Sequence, residues 1–500
     1  MDNWLNERLS YKNSLMPQPA DRLGVNQIHK TSDLEIDLKP TDKVLFLHIP
    51  KTGGITLVTL LEQQFGQAKV APLLYPRDLP RVKLADFDRY SCLHSHVAYD
   101  IMTKLLPINF VCLTMLRDPI ERYISAFAHL QRNPQETFPH DPDYAKQLKT
   151  IAKMSLPKFF NNSLFYLVPL KAHIRNRQTR MLAAHYAFKD FRELLVRFAK
   201  HNSIIPFLLE QELNIEPDHL LTIAKQRLLS TTFFGLTERF QDSMFLLSFT
   251  FGLPLQVAYK KLNVAPSRPR QRDLQPETIQ QIRAENQLDL QLYTYAQQLF
   301  QNRYETMQHD LLARYGQPEH AHLTLPLSQH TLVDLLEKHY LWRYRRRTNP
   351  TQNINYRFDQ AIPGRGWHLP EYHPKFGPYR WSGPQRYSTV DFVLDDNADL
   401  YITLSIAAAV SQEVLESLKL LVNEQPIGLA MEQKDDSSYN FRGVIPKAVI
   451  SRHPVCRLVF EVAKTIAPSQ LDAAHDDDRR LGVAVCGLKI SLLEEVTQAD

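Results

Sequence analysis

The pattern of apolar and polar positions in this chain changes near residue 350. From residue 43 to residue 315, short apolar runs of strand length alternate with longer stretches of helical periodicity, for example at residues 191–200, 223–229 and 277–303. This alternation predicts an α/β fold, in which a mostly parallel sheet is flanked by helices. Ligands of such folds bind at the carboxyl ends of the strands, so candidate functional residues are expected where an apolar run ends.

Beyond residue 350 the helical periodicity fades, and short apolar strands are separated by turns. The predicted strands are residues 389–394, 400–406, 418–422, 455–462 and 481–491. Such spacing predicts an antiparallel β-sandwich of jelly-roll type. The 500 residues also exceed the usual span of one core, about 250–300 residues. We therefore predict a lead-in at residues 1–42, an α/β domain at 43–315, a linker with a basic helix at 316–349 and a sandwich domain at 350–500.

The first apolar run, residues 44–47, ends at a Lys-Thr-Gly-Gly turn, residues 51–54, which a helical rhythm of leucines follows. Glycines let the backbone approach a ligand, and a helix N-terminus offers free N–H groups, so the turn predicts a P-loop-like phosphate site. Lys51 would add a mobile positive charge. In nucleoside triphosphatases the loop lysine follows the last glycine, whereas here it precedes the pair. An ordinary strand-to-helix turn with an exposed lysine is the alternative.

A second apolar run, residues 110–116, leads through Arg-Asp-Pro into another helical pattern. Arg117 lies at the carboxyl end of the predicted strand, and Ser125 lies about two helical turns further on. A guanidinium group and a hydroxyl can together hold one phosphate. Alternatively, Arg117 is a surface cation that pairs with Asp118 or Glu121, and Ser125 is a solvated helix position.

The two segments together resemble the nucleotide-binding segments of sulfotransferases that use 3′-phosphoadenosine 5′-phosphosulfate (PAPS). The branch with this pattern contains heparan sulfate 2-O-sulfotransferases and many bacterial polysaccharide sulfotransferases. In that family an H-I-P-K-T-G-G loop holds the 5′-phosphosulfate, and an R-D-P-x-x-R-x-x-S-x-F segment holds the 3′-phosphate. The resemblance assigns the first site to Lys51, Thr52, Gly53, Gly54, Thr56 and Leu57, and the second to Arg117 and Ser125. It implies that Lys51 stabilises charge on the departing nucleotide.

A histidine between these segments extends the resemblance. The family carries its base, which takes the proton of the acceptor hydroxyl, in a G-H-[VF] segment, and His96 falls on that position. Ser95 stands where a glycine is usual, which leaves the backbone angle before the histidine open. His94 is interpreted as a structural residue or as a substrate contact. A metal site at His94 and His96 is disfavoured because no obvious Cys, Asp or Glu ligand lies nearby, and the implied reaction requires no metal.

Further segments follow in the order of the family, and the resemblance covers about residues 43–315. They are an N-x-Q-T-R-x-L segment at 176–182, an F-x-G-L-T-E-R-F segment at 233–240, an asparagine-led loop at 263–270, and Asn286, Asp289 and Tyr293 of a closing helix. Arg177 and Arg180 are interpreted as a wall for an anionic acceptor or nucleotide, with a solvated helix face as the alternative. Glu238 and Arg239 could instead pair with each other at a packed strand-to-helix junction.

Two features near the second domain leave alternatives open. The G-x-G-W-x-x-P-E and R-W pattern between residues 364 and 381 resembles the start of accessory sandwiches on bacterial glycan-assembly enzymes. Trp367 and Trp381 would stack on sugars or, as is commoner for an aromatic pair in a small sandwich, lie in its core. The helix predicted at 331–342 ends in the basic segment 343–347. The positive charges of this segment either interact favourably with the dipole of the helix or contact membrane phosphates or an anionic glycan.

Composition narrows the class of protein. The chain is 44% hydrophobic without an apolar run near 18 residues, and its first residues lack the pattern of a signal peptide. We therefore predict a cytoplasmic protein, with peripheral contact at the inner membrane face as an alternative location. Four scattered cysteines predict buried free thiols. A net charge of +5 is too small to indicate nucleic-acid binding and suits anionic small molecules or glycans.

These observations predict a PAPS-dependent O-sulfotransferase that acts on a hydroxyl of a carbohydrate or glycoconjugate, with Lys51 and His96 as its catalytic residues. Two other classes stay open. A nucleotide-fold glycan-binding protein without catalysis would be favoured by loss of Lys51 or His96, and both are present. A P-loop-type kinase would depend on ATP and magnesium and is disfavoured by the position of the loop lysine.

Overall fold

The computed structural model describes residues 34–39, 41–75, 78, 84–106, 108, 110–132, 153–161, 174–183, 216–255, 268–318, 324–434, 438–472 and 474–493. The helix predicted at 191–200, most of the lead-in and most of the asparagine-led loop lie outside these residues. Within the described residues, the elements before residue 350 are β1 Lys43–Leu47, α1 Gly54–Phe65, β2 Cys92–Ser95, α2 Tyr99–Leu105, β3 Phe110–Leu116, α3 Pro119–Arg132, α4 Leu156–Asn161, α5 Arg177–Ala183, α6 Pro217–Ser230, β4 Phe233–Leu236, α7 Phe240–Phe251, α8 Pro276–Glu285, α9 Gln287–Tyr315 and α10 Gln329–Arg347.

In the part of the chain that the structure describes, the central sheet has four parallel strands in the order β2-β1-β3-β4. Val44 of β1 pairs with Cys92 on one side and with Val111 on the other. The strands are almost entirely apolar and buried, as expected for a parallel sheet that helices cover on both faces. The predicted α/β fold is therefore confirmed, and the carboxyl ends of β1, β2 and β3 meet at one edge of the sheet.

The helical stretch predicted at residues 277–303 is helical in the structure but is interrupted at Asn286, where α8 ends and α9 begins. The Asn286 side chain is buried, donates from Nδ2 to the carbonyl of Ile282 at 2.8 Å and accepts at Oδ1 from the backbone N–H of Asn176 at 3.0 Å. An asparagine side chain that bonds to nearby backbone groups competes with the helix for them. The break therefore turns α9 so that its first residues face the segment at 176–182.

The elements of the second half are β5 Ile354–Arg357, β6 Glu371–His373, β7 Gly377–Trp381, β8 Tyr387–Phe392, β9 Leu400–Ala409, α11 Gln412–Glu416, β10 Lys419–Val422, β11 Gln425–Ile427, β12 Ala430–Gln433, β13 Tyr439–Ile445, α12 Lys447–Ile450, β14 Cys456–Glu461, α13 Pro468–Leu471 and β15 Val483–Leu492. One sheet has the order β11-β10-β14-β8. The other has the order β12-β13-β9-β15-β7-β6, with β5 also paired to β15.

Apolar side chains from both sheets share one core, so the two antiparallel sheets form the predicted sandwich. Trp367 is 6% exposed and packs between Phe358 and Phe460, with ring centroids 5.0 and 5.2 Å away. Its indole N–H donates to the carbonyl of Thr389 at 2.9 Å. Trp367 is thus a core residue. Trp381 is partly exposed at the end of β7, next to the ring of Tyr379.

Helix α10 runs through Arg347 and so includes the basic segment, part of which has internal contacts. Arg343 is 4% exposed, donates to the carbonyls of Phe249 and Thr250 at 2.9 Å and pairs with Asp37 at 2.7 Å. In the same segment, Arg346 stacks on the ring of Trp342. None of the described helices is long and apolar enough to span a bilayer. All four cysteines are free, and three of them, Cys92, Cys112 and Cys456, are buried.

The sandwich contacts the α/β part through α1 and α10. Gln63 of α1 donates from Nε2 to the carbonyl of Trp367 at 3.3 Å. Glu337 of α10 pairs with Arg457 and, at 3.3 Å, with Arg365. Arg457 in turn makes a two-point contact with the carboxylate of Asp391, with both N···O distances at 2.8 Å. The completely buried Asp391 thus holds Arg457 within the sandwich, and Arg457 in turn connects the sandwich to α10 through Glu337.

Replacing Asp391 by alanine is expected to lower the free energy of unfolding by about 3–5 kcal/mol, because the change leaves the Arg457 guanidinium without its buried partner. Chemical denaturation measures the loss. The matched control is Glu432→Ala, which removes an acid from the exposed pair with Arg442 in the same sandwich and should cost no more than about 1 kcal/mol. A loss below about 1 kcal/mol for Asp391→Ala would contradict the role of Asp391 as the buried partner of Arg457.

Candidate active site

The loop between β1 and α1 has an alternating backbone. Lys51 and Gly53 have φ of 71° and 83°, whereas Thr52 between them lies outside the positive-φ region. Successive residues of opposite hand form a concavity lined by N–H groups, which attracts anions. Helix α1 follows with Gly53 as its N-cap, and no described side chain caps its first turn. The loop and the helix start therefore offer backbone donors at the carboxyl end of β1.

Protein donors fix the carbonyl groups of this loop. The Thr52 hydroxyl donates to the carbonyl of Ile49 at 2.8 Å, and Arg117 donates from Nη1 to the carbonyl of Lys51 at 3.1 Å. The Thr237 hydroxyl lies 2.6 Å from the carbonyl of Thr52. Thr52 itself is completely buried. The loop is therefore held in one conformation from three sides, and two of these donors come from distant segments of the chain.

Gly54 is required by a histidine that precedes the loop. A Cβ at Gly54 would lie 2.1 Å from Cδ2 of His48, so the ring of His48 occupies the space of a side chain at the start of α1. The sequence predicted that both glycines admit a ligand, and the structure adds that Gly54 admits His48. Sequence reasoning missed His48 as a site residue, although it opens the H-I-P-K-T-G-G segment.

Three histidines from two neighbouring strands form one cluster. His48 follows β1, His94 lies in β2 and His96 follows β2. The ring centroid of His48 is 4.5 Å from that of His96 and 6.3 Å from that of His94. Burial lowers the pKa of His94 and of His96 to about 4, and it holds the pKa of His48 well below the ordinary value. All three imidazoles are therefore neutral at neutral pH.

The tautomer of His96 follows from one hydrogen bond. Its Nδ1 lies 2.6 Å from the carbonyl oxygen of His48. Because a carbonyl can only accept, Nδ1 carries the hydrogen and Nε2 of the neutral ring keeps its lone pair. The ring is partly exposed and meets the edge of Tyr75 at a centroid distance of 5.3 Å. His96 is thus a neutral imidazole with a defined basic nitrogen.

Ser95 fits the backbone before His96 without a glycine. It lies outside the positive-φ region and ends β2 in a completely buried position. Its hydroxyl accepts from the backbone N–H of Val97 at 2.9 Å and lies 3.3 Å from the carbonyl of Leu74. A serine therefore fits at this position because the backbone there does not need a positive φ.

At the end of β3, Arg117 lies between two acids. Its guanidinium is 3.6 Å from the carboxylate of Glu121 and 3.9 Å from that of Glu238. The Arg117 side chain is only 15% exposed, so it pairs with Glu121, as in the alternative interpretation, without being a surface cation. Ser125 on α3 is 9% exposed, which excludes a solvated helix position. Asp118 accepts from the backbone N–H groups of Ile120 and Glu121 at the start of α3.

The segment at 233–240 connects the two loops. The hydroxyl of Thr237 lies 3.0 Å from the carbonyl of Leu116 at the end of β3, in addition to its contact with the first loop. Glu238 accepts from the backbone N–H of Asp118 at 3.1 Å and from the hydroxyl of Tyr293 at 2.5 Å. Arg239 pairs with Asp242 at 2.8 Å. The alternative in which Glu238 and Arg239 pair with each other is therefore wrong.

Arg177 and Arg180 lie at the start of α5, with different surroundings. Arg177 is 6% exposed, and its positive charge contributes, after burial, to the lowered pKa of His96. Arg180 is partly exposed and donates from Nη1 to the carbonyl of Arg175 at 3.0 Å. Burial of Arg177 excludes the solvated-face interpretation for that residue. Among the described residues, no group of three or more His, Cys, Asp or Glu side chains is arranged to hold a metal ion.

Comparisons with known proteins find similarity to sulfotransferases. The model of a family described as "Sulfotransferase family" matches residues 34–296. The chain is 27% identical over 322 residues to heparan-sulfate 6-O-sulfotransferase 3-B of Danio rerio, over 58% of this chain and 71% of that protein. It is 29% identical to heparan-sulfate 6-O-sulfotransferase 3 of Mus musculus, over 59% and 65%. It is 30% identical to heparan-sulfate 6-O-sulfotransferase 1 of Cricetulus griseus, over 54% and 70%.

Proposed function

Because the chain belongs to the sulfotransferase family, we propose that it transfers the sulfuryl group of PAPS to a carbohydrate hydroxyl with His96 as the base. The observation that carries the proposal is that three groups lie at the same edge of the sheet. These are a loop of backbone donors with Lys51, a neutral His96 of defined tautomer, and Arg117 bonded to that loop. Each supplies one requirement of in-line group transfer, in which positioning and charge stabilisation provide most of the rate.

The proposed reaction uses these groups in a single displacement. The acceptor oxygen attacks sulfur, the bond between sulfur and the bridging oxygen breaks, and 3′,5′-adenosine diphosphate leaves with the electron pair. Lys51 and the N–H groups of the loop would stabilise the charge that grows on the leaving oxygen. The proton of the acceptor hydroxyl passes to Nε2 of His96. Thr52, Gly53, Gly54, Thr56 and Leu57 would surround the phosphosulfate, and Arg117 with Ser125 would hold the 3′-phosphate.

His96 suits the role of base better than its two neighbours. Its Nδ1–H is held by a carbonyl, which leaves Nε2 as the acceptor of a proton, and its ring is partly exposed. His48 is 5% exposed and packs against the start of α1, which supports a structural role. The ring centroid of His94 lies 6.3 Å from that of His48, compared with 4.5 Å for His96. His94 remains a candidate substrate contact.

For the acceptor we propose a polysaccharide that carries negative charge. The three relatives compared above are named for action on heparan sulfate, an anionic glycan. The positive charges of Arg177, which contributes to the lowered pKa of His96, and of Arg180, one helical turn later, would attract such an acceptor. The relatives are named 6-O-sulfotransferases, whereas the motifs also resemble 2-O-sulfotransferases, so the proposal covers both hydroxyl positions.

Calorimetric titration tests the nucleotide half of the proposal. The purified protein is titrated in parallel with 3′,5′-adenosine diphosphate, 5′-adenosine monophosphate and magnesium ATP. Tight binding of the bisphosphate without a metal is expected, with at least about tenfold weaker binding of the monophosphate because the 3′-phosphate contacts are lost. A preference for magnesium ATP would favour a kinase, and failure to bind any of the three would contradict a catalytic function.

The acceptor half requires an activity measurement. PAPS labelled in its sulfuryl group is incubated with the protein and with heparan sulfate, desulfated heparan sulfate or a neutral glucan. Transfer of label to the two anionic glycans is expected, with little or none to the glucan. Equal labelling of all three would contradict the proposed anionic acceptor, and binding of 3′,5′-adenosine diphosphate without transfer to any glycan would contradict this acceptor class.

A further inference from the structure

The side chain of Gln178 forms a two-point contact with the backbone of Arg117. Its Oε1 accepts from the Arg117 N–H at 2.9 Å, and its Nε2 donates to the Arg117 carbonyl at 2.9 Å. This exchange has the form of a hydrogen-bonded pair in a β-ladder, in which one residue meets a partner through both of its polar groups. Gln178 is 1% exposed. One amide thus takes the place of a neighbouring strand at the first residue after β3.

Gln178 is itself fixed by a buried acid. The carboxylate of Asp289 accepts from the backbone N–H groups of Gln178 at 3.2 Å and Thr179 at 2.8 Å, and from the Thr179 hydroxyl at 2.8 Å. Asp289 is completely buried and lies 3.8 Å from Nε of Arg122, which is 1% exposed. Negative charge at a helix N-terminus is favourable. The start of α5 therefore has a defined position relative to both α9 and α3.

The position of Arg117 affects both loops of the site. Its backbone joins β3 to α3, and its guanidinium donates to the carbonyl of Lys51 in the first loop. A shift of the Arg117 backbone would therefore move the group proposed to hold the 3′-phosphate and also a contact of the phosphosulfate loop. Buried polar groups with both hydrogen bonds satisfied define one arrangement, and loss of the partner leaves an unsatisfied N–H and C=O.

We infer that Gln178 is a positioning residue for nucleotide binding, which acts by fixing Arg117 and through it the spacing of the two phosphate loops. The inference rests on the proposed function, because it assigns to Arg117 the 3′-phosphate of the nucleotide. It also gives the N-x-Q-T-R-x-L segment a role: Asn176 and Asp289 join α5 to α9, and Gln178 extends this connection to the end of β3.

The test compares two buried glutamines. Gln178→Leu is expected to weaken binding of 3′,5′-adenosine diphosphate about 10- to 100-fold, and binding of 5′-adenosine monophosphate by less than about threefold. Gln308 is also 1% exposed and accepts from the backbone N–H of Leu327 at 2.7 Å, away from the loops. Gln308→Leu should lower the thermal midpoint similarly while leaving both affinities within about twofold. Similar losses for the two nucleotides in Gln178→Leu would overturn the inference.

A double variant separates positioning from general weakening of the fold. In an Arg117→Ala background, Gln178→Leu should cause less than about twofold further loss of bisphosphate affinity. The reason is that Gln178 is inferred to act through the contact between Arg117 and the 3′-phosphate, which the first change has already removed. A further loss as large as in the wild-type background would overturn the inference. If Gln178→Leu does not fold, Gln178→Glu is measured instead, because it keeps the hydrogen-bond acceptor and removes the donor. It should also weaken binding of the bisphosphate more than binding of the monophosphate. A wild-type affinity for the bisphosphate would overturn the inference. Failure of the wild-type protein to bind the bisphosphate would instead reject the proposed function.

Discussion

Replacement of His96 by alanine is expected to lower kcat at least 10²- to 10⁴-fold while the affinity for 3′,5′-adenosine diphosphate stays within about threefold. A positioned general base contributes about that factor to a proton-transfer step. The fixed tautomer presents Nε2 to the acceptor hydroxyl, whereas the proposed nucleotide contacts come from the loop at 51–57 and from Arg117 and Ser125. Initial rates of sulfuryl transfer and calorimetric titration of the same preparation measure the two quantities.

The pH profile gives an independent measure of the same residue. Burial lowers the pKa of His96 to about 4, so the neutral form that can accept a proton predominates above that pH and is lost as the pH falls through it. The acid limb of kcat/KM, which reports the free enzyme, should therefore lie near pH 4. An unperturbed histidine would produce a limb at about 6.5. A limb near 6.5 in an otherwise active protein would contradict the described environment of His96.

The control for His96→Ala is another buried histidine. His339 in α10 is 1% exposed, has its pKa lowered to about 4 by burial, and lies 3.1 Å from the carbonyl of Phe249. His339→Ala should lower the thermal midpoint and leave kcat within about twofold. If His96→Ala instead loses nucleotide affinity as strongly as turnover, His96 contributes to binding or to folding of the loop, and the assignment of the base is wrong.

The loops of the site were predictable from sequence because their signals are local. The Lys-Thr-Gly-Gly turn and the Arg-Asp-Pro break each follow an apolar run within a few residues, and parallel strands bring such ends together. The contacts that fix these loops join distant residues. Thr237 reaches Thr52 across 185 residues, and Gln178 reaches Arg117 across 61. Hydrogen bonds between such distant residues leave no periodicity or spacing in the sequence. The resemblance therefore identified the two segments without showing that they fix the loops.

The fold shows the same division between local and distant causes. Five strands of the sandwich, β8, β9, β10, β14 and β15, were predicted within a few residues. The seven-residue strand β13 was missed, and β6 and β11 have three residues each, which are too few positions for a pattern. The break at Asn286 depends on Asn176, 110 residues away. The burial of Arg343 depends on carbonyls of α7 and on Asp37, so the composition of the helix end could not reveal it.

The second large effect is expected at Arg117. Arg117→Ala should weaken 3′,5′-adenosine diphosphate about 10²- to 10³-fold and 5′-adenosine monophosphate by less than about tenfold. A charged hydrogen-bonding group on a phosphate is worth about 1.5–3 kcal/mol or more when two bonds form, and the monophosphate lacks the group that the arginine would hold. The smaller loss reflects the contact with the carbonyl of Lys51, which the change also removes. Calorimetric titration with both nucleotides gives the ratio.

Two further variants define what Arg117 supplies. Arg117→Lys keeps the charge without the planar two-point geometry, so its affinity for the bisphosphate should lie between that of the wild type and that of Arg117→Ala. Arg239→Ala removes a nearby arginine that pairs with Asp242, and it should leave the ratio of the two nucleotide affinities within about twofold of the wild-type ratio. Equal losses of the two nucleotides in Arg117→Ala would place the 3′-phosphate elsewhere. In that case Arg117 would contribute to nucleotide binding only by donating to the carbonyl of Lys51, which stabilises the first loop.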